Sequence, residues 1–509
     1  LTASATPLSC PPSNVIQGPP SSGRQDVLVA IRNAATLGGS LVLTWSLALG
    51  VRIFLPRYLG PAQFGVYNFT DAFAATAFVL VALGVDTYVH KEIPGRVEHA
   101  SDFFGGAMLV RLAISVALLA GMELLLFLTH RSHEIQLLVF IFGWAQLFQS
   151  VNDTQASLLH AVGKVRGLAA ANVVGKLIWG GAIVLGFALG LGLTSIALAL
   201  LLSEVIKAIV LFRLVRRELD LRITFDIRAA LAVTLASLPF FLNLVAYTAY
   251  AKVDVTMLSF LASDVEVGWY GAAYNIAGLA LFISPLVGWV LLPLISRAAL
   301  RSTDELDNII QRSLEVILSI AIPISLFLAL GADLWIRAAF GTAFAPATLG
   351  LRILAPVFIL TYAAMVTSTC LIRLDRAWAV TAVSFAGLLV NPVLNLVLIT
   401  QVWRRLGPGG GGAGAAIALI GTETLVTTAL LFLLGKRAFD RASVMTLTKT
   451  AGAAVLTLVA HLAMSGLGPS RLVVDLALYL ALVIGSRALK PNEMFRLARS
   501  ALLRQPQEA

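Results

Sequence analysis

Charge is scarce in this chain. Asp, Glu, Lys and Arg make up 13% of 509 residues, about half the share of a soluble domain, which argues against a water-soluble enzyme. Cysteine is scarcer still: Cys10 sits in a polar tail and Cys370 in an apolar stretch, so no disulfide framework is implied. No G-x-x-x-x-G-K-[ST] phosphate loop occurs, since Gly175-Lys176 is followed by Leu177 and Ala170 stands where the first glycine belongs. Gly407–Gly412 follows no strand and carries no lysine. His130-Arg131-Ser132-His133 has no third ligand nearby beyond Glu134, short of a zinc site. No cofactor and no metal is expected.

What fills the chain is apolar. Hydrophobic residues make up 58% of it and mean hydropathy is +0.88. Each bilayer crossing needs roughly 20 apolar residues. The pattern predicts an all-α polytopic membrane protein with about fourteen transmembrane helices, near 34–55, 66–89, 104–128, 135–159, 167–190, 193–213, 229–261, 267–295, 313–332, 344–370, 377–400, 413–434, 446–467 and 472–489. The net charge of +10 invites nucleic acid, but the placement of the basic residues does not. Of 37, twenty-five fall on segments facing one side, from Arg24 and Lys91 to Arg217, Lys436 and Arg504. Seven, among them Arg57, Arg131, Arg404 and Arg471, fall on the other. The positive-inside rule then puts both termini in the cytoplasm. The basic excess is topological, and no nucleic-acid partner is expected.

Two passages repeat. Gly65-Val66-Tyr67 matches Gly268-Trp269-Tyr270, 203 residues on, and Glu204 matches Glu423, 219 residues on. The glycine-rich loop Gly407–Gly414 absorbs part of that growth. The expected layout is a disordered cytoplasmic tail over 1–33, a six-helix lobe over 34–214 and a basic linker over 215–228. A second six-helix lobe follows over 229–435, then two appended helices over 436–490 and a cytoplasmic tail over 491–509. Six is even, so the lobes are parallel repeats about an axis along the membrane normal, a plan in which transporter halves rock around a central site. Prolines 239, 285, 293, 323, 356 and 392 lie inside expected spans, where they kink or break helices.

Four stretches resemble the polysaccharide-export (Wzx-like) branch of the multidrug/oligosaccharidyl-lipid/polysaccharide flippase superfamily. The first is Arg57-Tyr58-Leu59-Gly60-Pro61-Ala62-Gln63-Phe64-Gly65-Val66-Tyr67. The second is Lys252-Val253-Asp254 followed by Val267-Gly268-Trp269-Tyr270-Gly271-Ala272-Ala273-Tyr274. Phe340-Gly341 with Phe344 and Ala347, and Gly387, Asn391 and Asn395 with Gly412–Ala416, complete the set in order. The resemblance implies a fourteen-helix, two-lobed flippase. It would carry an undecaprenyl-diphosphate-linked oligosaccharide across the bacterial inner membrane, with membrane lipids, a polysaccharide polymerase and glycosyltransferases as partners.

Such a substrate joins a polar sugar and an anionic diphosphate to a lipid tail. Exposing the polar parts to hydrocarbon costs several kcal/mol per unsatisfied group, so a wet, cationic cavity between the lobes is required. Cations available inside spans are Arg52, Arg111, Lys176, Lys207, Lys252 and Arg352, each costing at least ~2.5 kcal/mol at a helix centre. Arg52, Arg57, Arg111, Lys252 and Arg352 are the candidate substrate contacts. Arg111 is equally suited to snorkel to the surface, Arg57 to cap carbonyls at the Gly60-Pro61 turn, and Lys207 to pair with Glu204 three residues before it. Lys252 and Asp254 point roughly 200° apart on a helix and need separate partners. Asp71, Asp86 and Asp254 are the ion-coupling candidates, with Arg52 or Arg111 as structural ion-pair partners of the first two.

Two rival readings stand. A multidrug or cation antiporter of the same superfamily would leave the two appended spans unexplained. A membrane glycosyltransferase or polysaccharide polymerase usually needs a large external loop, and every external loop here is short.

Overall fold

The computed structural model describes residues 23–86, 89, 100–162, 164–219, 226–283, 295, 302–374, 376–486 and 488. Among these residues there is no strand. Helix is the structure expected in lipid, because it satisfies every backbone N–H and C=O within the segment. The long helices are α1 (Gly23–Phe78), α2 (Ala100–Leu128), α3 (His133–Ala161), α4 (Val165–Ala188), α5 (Gly192–Leu219) and α6 (Ile227–Leu261). Then come α7 (Asp264–Ala277), α8 (Thr303–Leu330), α9 (Ala332–Phe340), α10 (Ala347–Leu354), α11 (Val357–Arg373), α12 (Ala377–Leu406), α13 (Gly410–Leu434), α14 (Arg441–Ala463) and α15 (Arg471–Gly485).

Eleven helical stretches among the described residues are long and apolar enough to cross a membrane. One of them, Leu43–Val81, holds two of the expected spans, because α1 breaks at Gly60 (φ 71°, ψ 171°) ahead of Pro61. Helix α6 lies on a further expected span, and α7 begins another whose remainder, residues 284–294, lies outside the described residues. Three details differ from expectation. Helix α1 starts at Gly23, inside the stretch expected to be a disordered tail. The second span stops being α-helical at Phe78 and breaks at Leu83 and Gly84, both at positive φ. The tenth span is interrupted at Ala355 and Pro356, where proline cannot continue the hydrogen-bond ladder. Residues 1–22, residues 220–225 of the basic linker, Pro285, Pro293 and the C-terminal tail from residue 489 lie outside the described residues.

Helix starts are capped by short polar side chains, which satisfy N–H groups that no helical carbonyl can reach. Ser132, Ser263, Ser302 and Asp440 accept from the backbone of Ile135, Glu266, Glu305 and Ser443. The glycine-rich loop is also a cap socket. Glu266, 1% exposed, accepts from Gly409 N–H at 2.6 Å and Gly412 N–H at 3.0 Å at the positive end of α13.

One apolar core holds residues of both lobes at the Gly60 end, including Leu59, Phe64, Phe69, Val267, Tyr270 and Phe344. The other ends have separate cores. One is built on Phe104, Leu158 and Leu211, the other on Ile310, Val366 and Leu430. The lobes share the first core, and α6 also reaches the first lobe at the other end, where Val233 packs in the Phe104 core and the Gly84 turn lies against Ser237 and Phe241. At the join, α1 and α7 cross backbone to backbone: a Cβ at Gly65 would fall on the Asp264 carbonyl, and one at Gly268 on the Pro61 carbonyl. Only glycine permits this approach. Arg131 seals the same end. It donates to the Ser259 carbonyl at 2.7 Å, lies between the rings of Phe69 and Phe260 at 5.1 and 4.8 Å, and stands 3.7 Å from Asp264. Helices α14 and α15 pack on α8, with Tyr479 edge-on to Phe327.

Candidate functional site

The second arm of α1 and the last turns of α6 face each other across the lobe boundary. There Lys252 Nζ stands 3.9 Å from Asp71 Oδ2, and both side chains are half-exposed. Two charges at that distance attract by about 4 kcal/mol at an effective dielectric constant near 20. Water in a half-open cleft screens much of this. The pair brings a cation chosen for phosphate and an acid chosen for coupling into one place. Asp71 was expected to meet Arg52 or Arg111, but its ion-pair partner comes from the other lobe.

More charge gathers on the first-lobe side. Lys176, on α4, lies within electrostatic reach of Glu204, Lys207, Arg52 and Asp71, and its ammonium sits 4.7 Å above the Trp179 ring. Asp153, on α3, is within reach of Lys207 and Glu204. The expected pairing of Glu204 with Lys207 is not made: no ion pair joins them, and Glu204 Oε2 accepts from Asn152 at 2.8 Å. Lys207 instead lays its stem along Gly175 of α4. Arg52, Lys176, Lys207 and Lys252 thus stand with Asp71, Asp153 and Glu204 in one polar zone among apolar helices. An anion entering it meets cations from α1, α4, α5 and α6.

Arg111 and Asp86 are also brought together, but elsewhere. Arg111 is 0% exposed. It donates to Thr154 Oγ1 at 2.7 Å, to the Ser150 carbonyl at 2.8 Å and to the Ala82 carbonyl at 2.8 Å, with Asp86 at 3.7 Å. Thr154 in turn donates to Asp86. Snorkelling is ruled out by this geometry. The guanidinium braces the broken end of the second span against α3, sharing the Ala82 carbonyl with the Val85 N–H at 3.3 Å.

Asp254 points away from Lys252, as the 200° spacing requires, into the second lobe. It is 1% exposed and accepts from Asn395 Nδ2 at 2.7 Å and Tyr270 OH at 3.2 Å. Asn395 also donates to Asn391 Oδ1 at 2.8 Å. All these donors are neutral. A buried carboxylate without a cation is able to take a proton in place of one. Arg57 and Arg352 are not part of the polar zone: Arg57 is exposed at the Gly60 turn, and Arg352 stands 3.8 Å from Asp333, both half-exposed.

The sequence reading overlooked Asp153 and the pair His461–Asp475, whose Nδ1 and Oδ2 are 2.6 Å apart and buried between α14 and α15. The signal was present in each case as one ionisable residue in an apolar run.

The fold has known counterparts. A family model described as polysaccharide biosynthesis protein matches residues 30–299, more than half of the chain. No curated protein matches significantly. Among solved structures, lipid II flippase MurJ in an inward closed conformation is similar at 14% identity and a TM-score of 0.70, covering 92% of this chain and 99% of its own. An inward-facing multidrug resistance MATE family transporter of the MOP superfamily is similar at 16% identity and a TM-score of 0.62, over 77% of this chain and 94% of its own. The bent form of the Vibrio cholerae MATE transporter VcmN follows at 15% identity and a TM-score of 0.51, over 80% of this chain and 99% of its own. At 14–16% identity these likenesses show a shared fold.

Proposed function

Since the chain belongs to the polysaccharide biosynthesis family of the multidrug/oligosaccharidyl-lipid/polysaccharide flippase superfamily, we propose that it moves an undecaprenyl-diphosphate-linked oligosaccharide from the cytoplasmic to the outer leaflet of a bacterial inner membrane. The observation that carries this reading is the Lys252–Asp71 pair, which joins the lobes beside Arg52, Lys176 and Lys207. A diphosphate needs cations from both lobes if its binding is to draw them together. The sugar takes the wet cleft, and the tail stays in lipid.

The state described is closed at the Gly60 end, which the basic-residue asymmetry assigns to the outside. An arriving diphosphate competes with Asp71 for Lys252. Protonation of Asp71 releases Lys252 to the phosphate, and loss of the proton takes it back. Proton and substrate are thereby coupled through one ammonium group. Asp254, held only by neutral donors, is the second protonation site. Outward movement of a dianion from a negative interior gains ~2.3 kcal/mol per charge per 100 mV, so nucleotide hydrolysis is not needed.

The test is transfer of a lipid-diphosphate oligosaccharide in proteoliposomes. Lys252→Ala and Arg52→Ala each abolish transfer while the protein inserts at its normal level. Arg52→Lys retains part of it, because an ammonium lacks the bidentate fork that matches phosphate. Undiminished transfer by the Arg52→Ala/Lys252→Ala protein overturns the reading.

A further inference from the structure

Helix α5 presents a second face, opposite Lys207. Ala208, Ile209, Phe212, Arg213 and Arg216 share that face by helical spacing and, with Gln155 of α3, line a groove of about 420 Å³. Further along the same face, Leu198, Leu202 and Val205 line an apolar groove of about 480 Å³ with Leu185 and Leu189 of α4. Leu198, Leu202 and Ile209 are each about half-exposed, as side chains facing acyl chains are. Arg213 lies about 31 Å along the helix from Gly192, the thickness of the hydrocarbon core. One apolar track therefore ends on two guanidinium groups at the level of lipid phosphates.

Among the described residues neither guanidinium group has an ion-pair partner, and the carboxylate closest in sequence, Glu218, is held by Lys164 at 3.0 Å. The groove floor is Gln155, 2% exposed, whose Oε1 has no hydrogen-bond partner. The internal repeat supplies a control. The 219-residue offset aligns Arg213 with Phe432 and Arg216 with Gly435, and Phe432 is 84% exposed. A helix in this position does not need charge there to fold.

We propose that this face binds one anionic phospholipid of the phosphatidylglycerol type. Its phosphodiester lies between Arg213 and Arg216, and an acyl chain runs past Ile209, Val205 and Leu202. A head-group hydroxyl supplies the donor that Gln155 Oε1 lacks. Basic pockets beside membrane helices hold anionic head groups on this principle. The inference rests on α5 being a membrane span, not on the identity of the transported substrate.

Native mass spectrometry of the full-length protein with phosphatidylglycerol or phosphatidylcholine tests it. The unaltered protein holds one phosphatidylglycerol roughly thirtyfold more tightly than phosphatidylcholine, about fivefold per guanidinium. Arg213→Gln/Arg216→Gln abolishes the preference at an unchanged melting temperature. Arg213→Lys/Arg216→Lys keeps most of it, and Arg404→Gln/Arg405→Gln all of it. Gln155→Leu lowers the preference for phosphatidylglycerol over phosphatidic acid, which lacks the hydroxyls. Equal binding by the double Gln protein overturns the proposal. So does displacement by millimolar inorganic phosphate, which marks a free-anion site, or by the lipid-diphosphate oligosaccharide, which marks a loading site for cargo.

Discussion

Two carboxylates of the first lobe, Asp86 and Asp71, are met by cations; two of the second, Asp254 and Glu266, are met by amides, hydroxyls and backbone. Arg111 faces Asp86, and Asp71 faces a lysine. Asp254 has Asn395 and Tyr270, and Glu266 has the N–H groups of Gly409 and Gly412. Both solutions keep charge out of contact with lipid, but they respond differently to a proton. A proton on Asp71 releases a cation into the cleft. A proton on Asp254 removes a charge and releases nothing. In the proposed cycle the first is a competitive switch and the second a silent charge.

The contrast is most exposed by removing one member of a pair. Arg111→Met removes the buried donor to Thr154 and to the Ser150 and Ala82 carbonyls, a loss of about 3 kcal/mol, read as a fall in folded protein extracted from membranes. Asp254→Asn, which keeps neutral partners all round, costs no more than about 1.5 kcal/mol. Equal losses from the two substitutions would end the distinction between the lobes.

The join is the next test. Gly65→Ala puts a methyl group on the Asp264 carbonyl, so the Gly60 end no longer closes. A cysteine placed at Thr70, 0% exposed in the closed state, then becomes more accessible to a membrane-impermeant thiol reagent, by about tenfold if the closed state loses about 1.4 kcal/mol. Gly271→Ala meets only the side chain of Asn68, which is able to rotate, and shifts accessibility much less.

Asp71→Asn addresses the switch itself. The amide cannot titrate, so Lys252 stays available at every pH. Transfer persists, but its response to an imposed pH gradient in vesicles disappears. A response equal to that of the unaltered protein places coupling elsewhere, with Asp254 next to examine.

The smallest effect belongs to a cap. Hydrogen bonds from Ser443 hold the Asp440 carboxyl below its ordinary value. A group lowered in this way stabilises the fold above the ordinary aspartate range and ceases to do so as pH falls through its folded value. Asp440→Ala costs about 0.5–1 kcal/mol at neutral pH, measured by thermal unfolding. The difference from the unaltered protein vanishes in acid.

Hydropathy and punctuation were enough to read the helices, because lipid imposes one backbone solution and Gly60-Pro61 can only turn. The match of Gly65 with Gly268 even pointed to the two residues that meet at the join, though not to their meeting. Charge partners were much less legible. Helical periodicity fixes the face a residue occupies and not the neighbour that covers it. Arg111 was as suited to snorkelling as to bracing until folding brought the Ala82 carbonyl to it. Asp71 had two plausible partners within its own lobe, and the one it takes is distant in sequence. Asn391 and Asn395 were visible as part of a motif, but only folding places them on Asp254.

The crossing of α1 and α7 carries a further consequence. Shifting by 203 residues turns Pro61 into Asp264 and Gly65 into Gly268, so the two close approaches are one contact read in both directions. That is the geometry of an isologous interface, the kind two copies of a single polypeptide make across a two-fold axis. The seam between the repeats thus has the form of the two-fold contact that two copies of one polypeptide make. Each half still carries its own copy of the recognition surface, so severing the chain between Leu219 and Asp226 yields two polypeptides that reassemble when made together.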